Sequence, residues 1–225
     1  MGTPEEVRPA WYALAGGGWR DYATLLHPPY TLWHLSYVAA GAALAPRFHL
    51  DRMLWGLAAF FLAMGVAAHA LDELKGRPLR TRIPSAVLVG IAIVSLAGAV
   101  AIGVGAAAAW GFGLLAFVAA GAVLVPAYNL ELAFHTDAGF AFAWGAFPAL
   151  TGYFVEAQTI RLEGAAVAVY AFLLSLAQRT LSTPVRHARR TDATTAGIGP
   201  LERALRVLTW SAVALAVALV AARLR

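Results

Sequence analysis

The chain contains no cysteine, which excludes disulfide bracing, thiolate metal centres and a cysteine nucleophile. Charge is scarce too. Asp, Glu, Lys and Arg make up 13% of the 225 residues, about half the usual share for a soluble domain. So few charges cannot cover a water-facing surface, and an ordinary soluble globule is excluded. The strict two-residue alternation of a barrel strand is missing as well. What is present is 60% hydrophobic residues and a mean hydropathy of +0.68, gathered into runs of about 20 residues, the length needed to cross a bilayer core as a helix.

Seven such runs stand at 29–46, 52–71, 84–105, 108–128, 139–158, 163–182 and 203–223. Inside lipid the backbone polar groups have no water to bond, so each run must be helical. The expected fold is all-α, a polytopic transmembrane helical bundle of about seven spans in one integral membrane domain covering 1–225. The start of the chain carries Glu5, Glu6 and Arg8 ahead of "GGGWRDY". It lacks a basic segment leading straight into an apolar run with a cleavage site, and is not read as a signal peptide. Residues 183–202 are expected to be a polar loop before the last span. The glycine and alanine density of 84–125 predicts close helix packing there. Trp33, Trp55, Trp110, Trp144 and Trp210 are read as interfacial anchors or packing residues.

Basic residues prefer the cytoplasmic side of a membrane protein. Of the 17 lysines and arginines, only Arg47, Arg52, Arg161, Arg223 and Arg225 fall on one face of a seven-span arrangement. The others fall on the opposite face, which places that face and the N-terminus in the cytoplasm, the C-terminus outside, and the protein in the cell membrane. His27, His34, His69, His135 and His187 gather on the basic side with Asp72, Glu73, Glu131 and Asp137, whereas His49 sits opposite. Ionisable groups at the edge of a span are costly unless they face a cavity or one another. On a helix His69 shares a face with Asp72 and Glu73, and Glu131 with His135. The pattern predicts a polar, partly basic cavity at that end, lined by His34, His69, Tyr128, Asn129, Glu131, His135 and Asp137.

Three stretches carry a resemblance. "LAMGVAAHALDELKGRPLRTRIPS" resembles the end of the second helix in the UbiA-type prenyltransferase superfamily, where a carboxylate signature runs into a basic loop. "VPAYNLELAFHTDAGFAFAWGAFPALTGYFVEA" is similar to that family's fourth-to-fifth helix passage, and "PPYTLWHLSYVAAGAALAP" to its first helix. The resemblance spans about residues 29–190. It implies a UbiA-like bundle that moves an isoprenoid from a prenyl diphosphate to a small or lipid acceptor. It also implies Mg²⁺ at Asp72 and Glu73, with His69 where the family has Asn, and diphosphate contacts from Arg77, Arg80 and Arg82. The family's second Asp-rich signature is absent: "SLAQRTLSTPVRHARR" offers Arg186, Arg189 and Arg190 in its place, and the chain has one further span instead of three. Those arginines are therefore expected to offset diphosphate charge.

Two other readings stay open beside the transferase. One is a non-catalytic or lipid-binding membrane protein on the same scaffold. The other is a metal-dependent membrane enzyme using the imidazoles and carboxylates of the basic side, a donor set suited to Zn or Fe. Membrane lipid and a prenyl diphosphate are the expected partners, with no nucleic acid.

Overall fold

The computed structural model describes residues 8–14, 16–133, 135–191 and 197–225, and among these the regular structure is all helical, without strands. Glu5, Glu6 and Asp192 lie outside the described residues. A short surface helix, α1 (Trp19–Leu25), precedes seven long ones. These are α2 (Pro28–Leu44), α3 (Leu50–Leu74), α4 (Ser85–Trp110), α5 (Leu114–Asn129), α6 (Asp137–Ala157), α7 (Leu162–Arg190) and α8 (Ile198–Arg223). Five of them, α3, α4, α6, α7 and α8, are long and apolar enough to cross a membrane, as an integral membrane protein requires; α5 is apolar but shorter.

Helix α2 is the axis. It packs against the second half of α6 on one side and against α8 on the other. Trp33 and Tyr37 on α2 are fully buried, and Trp33 Nε1 donates to the Tyr37 hydroxyl at 2.5 Å. Trp33 is thus a core residue and not an interfacial anchor. The reason is partnership: its indole N–H is satisfied inside the bundle, which lets the whole ring leave the interface. Around it stand Ala149, Val167, Ala171, Leu205 and Ala212 from α6, α7 and α8.

The close backbone approaches also lie elsewhere than expected. A side chain on Gly41 would collide with the Ala149 carbonyl, and one on Gly152 with the Val38 carbonyl, so α2 and α6 touch backbone to backbone through a reciprocal pair of glycines. On α4, Gly90 and Gly105 meet nothing, and most of that helix faces outward. Only Gly103, against Val118, marks a tight approach between α4 and α5. Composition showed small residues in both places, but small residues matter only where another backbone comes close.

Two further corrections concern helix ends. The expected loop 183–202 is helical as far as Arg190. Pro184 lies inside this last part, yet Val185 is buried in the core and Arg189 pairs with Glu202 of α8 at 2.6 Å, so packing on α8 holds the helix beyond the proline. Helices α3 and α6 each contain a π-helical stretch, Phe61–Ala68 and Phe142–Ala146. The second ends just before Pro148, which has no N–H for the Trp144 carbonyl four residues back. Such widened turns often accompany functional sites, and both of these border the cavity described next.

Candidate ligand cavity

The basic ends of α2, α3, α5, α6 and α7, closed over by Pro9–Tyr12 and by the loop after α3, surround a polar cavity of about 420 Å³. His34, His69, Asp72, Tyr128, Asn129, Glu131, His135, Arg186, Arg189 and Arg190 all line it, as do His27, Tyr12, Tyr30, Lys75 and Arg179. The sequence reading placed His27 on the basic side but assigned none of the last five to the cavity wall. Tyr12 precedes the spans, and nothing in its local sequence tells that the N-terminal segment folds back over α2. The signal that existed for Arg179 was its position seven residues before Arg186, two turns along one helical stripe.

Five residues expected at the site are placed differently. Glu73 is completely buried and absent from the cavity wall: its Oε1 accepts from the Thr81 N–H and hydroxyl at 2.8 Å each, and its Oε2 from the Leu79 N–H at 2.9 Å. Residues adjacent on a helix point about 100° apart, so Asp72 and Glu73 cannot both face one cavity squarely. Arg77 is turned into the loop as well, donating to the Ile83 carbonyl at 2.5 Å and to the Ser85 hydroxyl at 2.8 Å. Arg82 gives its backbone N–H to buried Asp21 at 3.0 Å, and its side chain does not line the cavity. Arg80 reaches the Arg189 carbonyl at 3.5 Å. Asp137 stands outside the wall but holds Arg179, which is in it, at 2.9 Å. The side chains of Glu73 and Arg77 are thus spent on the loop that roofs the cavity, and that of Arg82 lies outside its wall.

The charge that remains in the cavity follows from who is paired. Arg189 is committed to Glu202, Arg179 to Asp137 at 2.9 Å, and Lys75 faces Glu131 at 3.8 Å. Among the described residues Arg186 has only the Thr183 hydroxyl, at 3.4 Å, and Arg190 forms no ion pair. Asp72 likewise has no ion-pair partner; Arg186 and Arg190 are the cations whose field it feels most. A guanidinium on a cavity wall without a carboxylate partner is an anion site in chemical character.

Polar atoms left without partners point the same way. Buried side-chain atoms normally find hydrogen bonds. His27 Nε2, His34 Nδ1, the Tyr128 hydroxyl and Gln178 Oε1 do not, and all four residues line this cavity. His27 also holds a left-handed backbone, φ 44, directly before Pro28, a conformation disfavoured for a residue preceding proline. Its Nδ1 is bonded to the Tyr12 hydroxyl at 2.5 Å. Burial pushes the Tyr12 hydroxyl well above its ordinary range and pushes His27 well below. Both groups are therefore neutral, and because the phenol is the stronger acid and the imidazole nitrogen the stronger base, we assign Tyr12 as the donor and His27 Nδ1 as the acceptor.

A second cavity, apolar and about 100 Å³, lies between α3, α4, α5 and α6. Phe60, Phe117, Phe147 and Trp110 are among its walls. Met64 and Trp144 belong to the walls of both cavities, so the polar chamber and the greasy one share part of their lining.

A resident Mg²⁺, which the UbiA resemblance implies, does not fit the donors present. Glu73 is spent on the loop, Asp72 is left as the one free carboxylate among the described residues of the wall, and no three His, Asp or Glu side chains among the described residues are arranged to hold a metal ion. Hard divalent ions take oxygen donors from several groups at once. Compared with family models, with curated proteins and with solved structures, the chain matches none.

Proposed function

We propose that this chain is a divergent UbiA-like membrane protein that binds a phosphorylated isoprenoid and transfers its prenyl group to a second substrate. The observation that carries the reading is the pair of cavities sharing Met64 and Trp144. An amphiphile with an anionic head and an apolar chain matches that arrangement, since the head gains unpaired guanidinium groups and the chain leaves water. When the C–O bond to the phosphate breaks, negative charge grows on the departing oxygens. Arg186 and Arg190 are the groups that would stabilise it, fixed in place before the reaction begins. The allylic cation left behind would form near Tyr128, Phe140 and Trp144, whose ring faces favour positive charge. We also place the basic face in the cytoplasm and the C-terminus outside, from the bias of lysine and arginine. A reporter fused at Arg225 that reads as cytoplasmic would reverse that assignment.

The test is a titration of the purified protein with farnesyl diphosphate, with Mg²⁺ and with chelator, on wild type and Arg186→Ala. Binding that survives chelation and weakens at least about tenfold in Arg186→Ala supports the reading, tenfold being the scale of one charge-assisted hydrogen bond. Absence of binding under every condition, or binding indifferent to Arg186, removes it. Non-catalytic binding of a phosphorylated lipid is the second reading. The observation favouring it is that Asp72 is the cavity's one free carboxylate, and turnover of a prenyl donor in the same preparation would exclude it.

A further inference from the structure

Beside the arginines the cavity contains a group of a different kind. The rings of His27 and His69 are stacked, with centroids 4.1 Å apart and planes 24° from parallel. The protons on these rings follow from their partners. His69 Nδ1 lies 3.1 Å from the Gly65 carbonyl oxygen, which can only accept, so in the neutral ring Nδ1 carries the hydrogen and Nε2 is a bare acceptor. His27 is the reverse. Its Nδ1 accepts from Tyr12, so Nε2 carries the hydrogen, and that N–H is buried with no partner. The stack therefore offers one unused donor and one unused acceptor. With the rings this close, both lie within the roughly 6 Å that one oxygen can bridge between two hydrogen bonds of about 3 Å.

A phosphate oxygen is an acceptor only, and an ether cannot donate. A hydroxyl both donates and accepts. We infer that the His27–His69 stack is a subsite for a neutral hydroxyl, from an alcohol or a phenol, distinct from the arginine site in the same cavity. Gly65 supports the assignment. It lies in the π-helical stretch of α3, and a side chain there would crowd Thr31 and Phe61 at 2.9 and 3.0 Å. The carbonyl that sets the His69 tautomer is thus held by tight local packing. Tyr12 sets the other tautomer from the segment that covers the cavity, so the donor is defined only when that segment is in place. Calling the hydroxyl the acceptor of prenyl transfer rests on the function proposed above; hydroxyl recognition does not. In that reaction the acceptor oxygen forms the new bond to the prenyl carbon as the carbon–phosphate oxygen bond breaks. The hydroxyl proton passes to His69 Nε2, and the phosphate leaves toward Arg186.

The experiment uses the full chain with ¹⁵N-labelled histidine and three probes: 4-heptylphenol, decan-1-ol and 4-heptylanisole, the phenol's methyl ether. Saturable shifts of the His27 and His69 ring nitrogens with the phenol or the alcohol, and none with the ether, are expected. Whichever hydroxyl probe binds identifies the class. The variant His69→Phe keeps a stacked ring without the acceptor and should weaken hydroxyl binding by about tenfold, while farnesyl diphosphate binding persists and reports an intact fold. Equal shifts with phenol and ether, or unchanged phenol affinity in His69→Phe, overturn the subsite. Should His69→Phe fail to fold, the wild-type comparison of phenol with ether decides. Failure of farnesyl diphosphate to bind while the phenol binds removes the phosphate reading and leaves the subsite standing.

Discussion

Asp72 and Glu73 are neighbours in sequence and belong to different parts of the molecule. Asp72 stands in the cavity wall without an ion pair among the described residues, near two arginines, whereas Glu73 is the hub of the loop above, accepting three hydrogen bonds from Leu79 and Thr81. One turns toward a ligand and the other toward its own backbone. The difference teaches that two carboxylates make a metal site only if helix rotation brings them together, and one residue of offset turns them apart. Arg77 and Arg186 divide in the same way, the first bonded to loop carbonyls and the second left for the cavity.

The comparison breaks most visibly at Glu73. Glu73→Ala strands the Leu79 and Thr81 N–H groups and should cost about 3–5 kcal/mol, the range for breaking a buried charged cluster from one side. Thermal unfolding in detergent measures it, and Glu73→Gln, which keeps an acceptor oxygen, should lose less. Arg77→Ala comes next. It removes the donors to Ile83 and Ser85 and should cost about 1–3 kcal/mol, with farnesyl diphosphate affinity unchanged once the protein is folded. A loss of affinity with unchanged stability would move Arg77 back to the cavity.

The cavity side responds to pH. His27 is faced by Tyr12, His69, Arg186 and His34, and its pKa in the fold lies well below the ordinary 6.5, chiefly from burial. The unfolded chain therefore binds a proton that the folded chain refuses. His27's contribution to stability is complete above pH 6.5 and falls as the pH drops from there toward the folded value, at up to about 1.4 kcal/mol per pH unit for one proton. Unfolding curves of wild type and His27→Asn between pH 7 and pH 5, roughly the span in which a free imidazole titrates, should converge as acid is added. The smallest stability effect belongs to Asp72→Asn, within about 0.5 kcal/mol. Its signature is in binding: removing a negative charge beside Arg186 and Arg190 should tighten farnesyl diphosphate in chelator. Weaker binding there would return Asp72 to an essential role in holding the head.

Much of the fold was legible because lipid imposes length and composition on every span. The seven apolar runs correspond to seven helices, five of them long and apolar enough to cross a membrane, with ends displaced where packing intervened: α7 continues through Pro184 because Val185 and Arg189 find partners on the core and on α8. The side of the bundle bearing the polar cluster was legible from the clustering of imidazoles and carboxylates. Which member of each pair faces inward was not. The three bonds to Glu73 come from residues six and eight positions later, after a turn whose shape Arg77 and Gly76, both at positive φ, help set.

By itself the sequence determined that the chain is helical, apolar enough for lipid and polar at one end, because these depend on residue type and local spacing. Only the tertiary structure decided that Gly41 and Gly152 meet across two helices while Gly90 meets nothing. It also decided that Tyr12 folds back to His27 across 15 residues, and that a polar and an apolar cavity share Met64 and Trp144 in their walls. Each depends on which surfaces of distant helices come into contact. A side chain's partner, and with it its charge state, its tautomer and its freedom to meet a ligand, is a property of that contact.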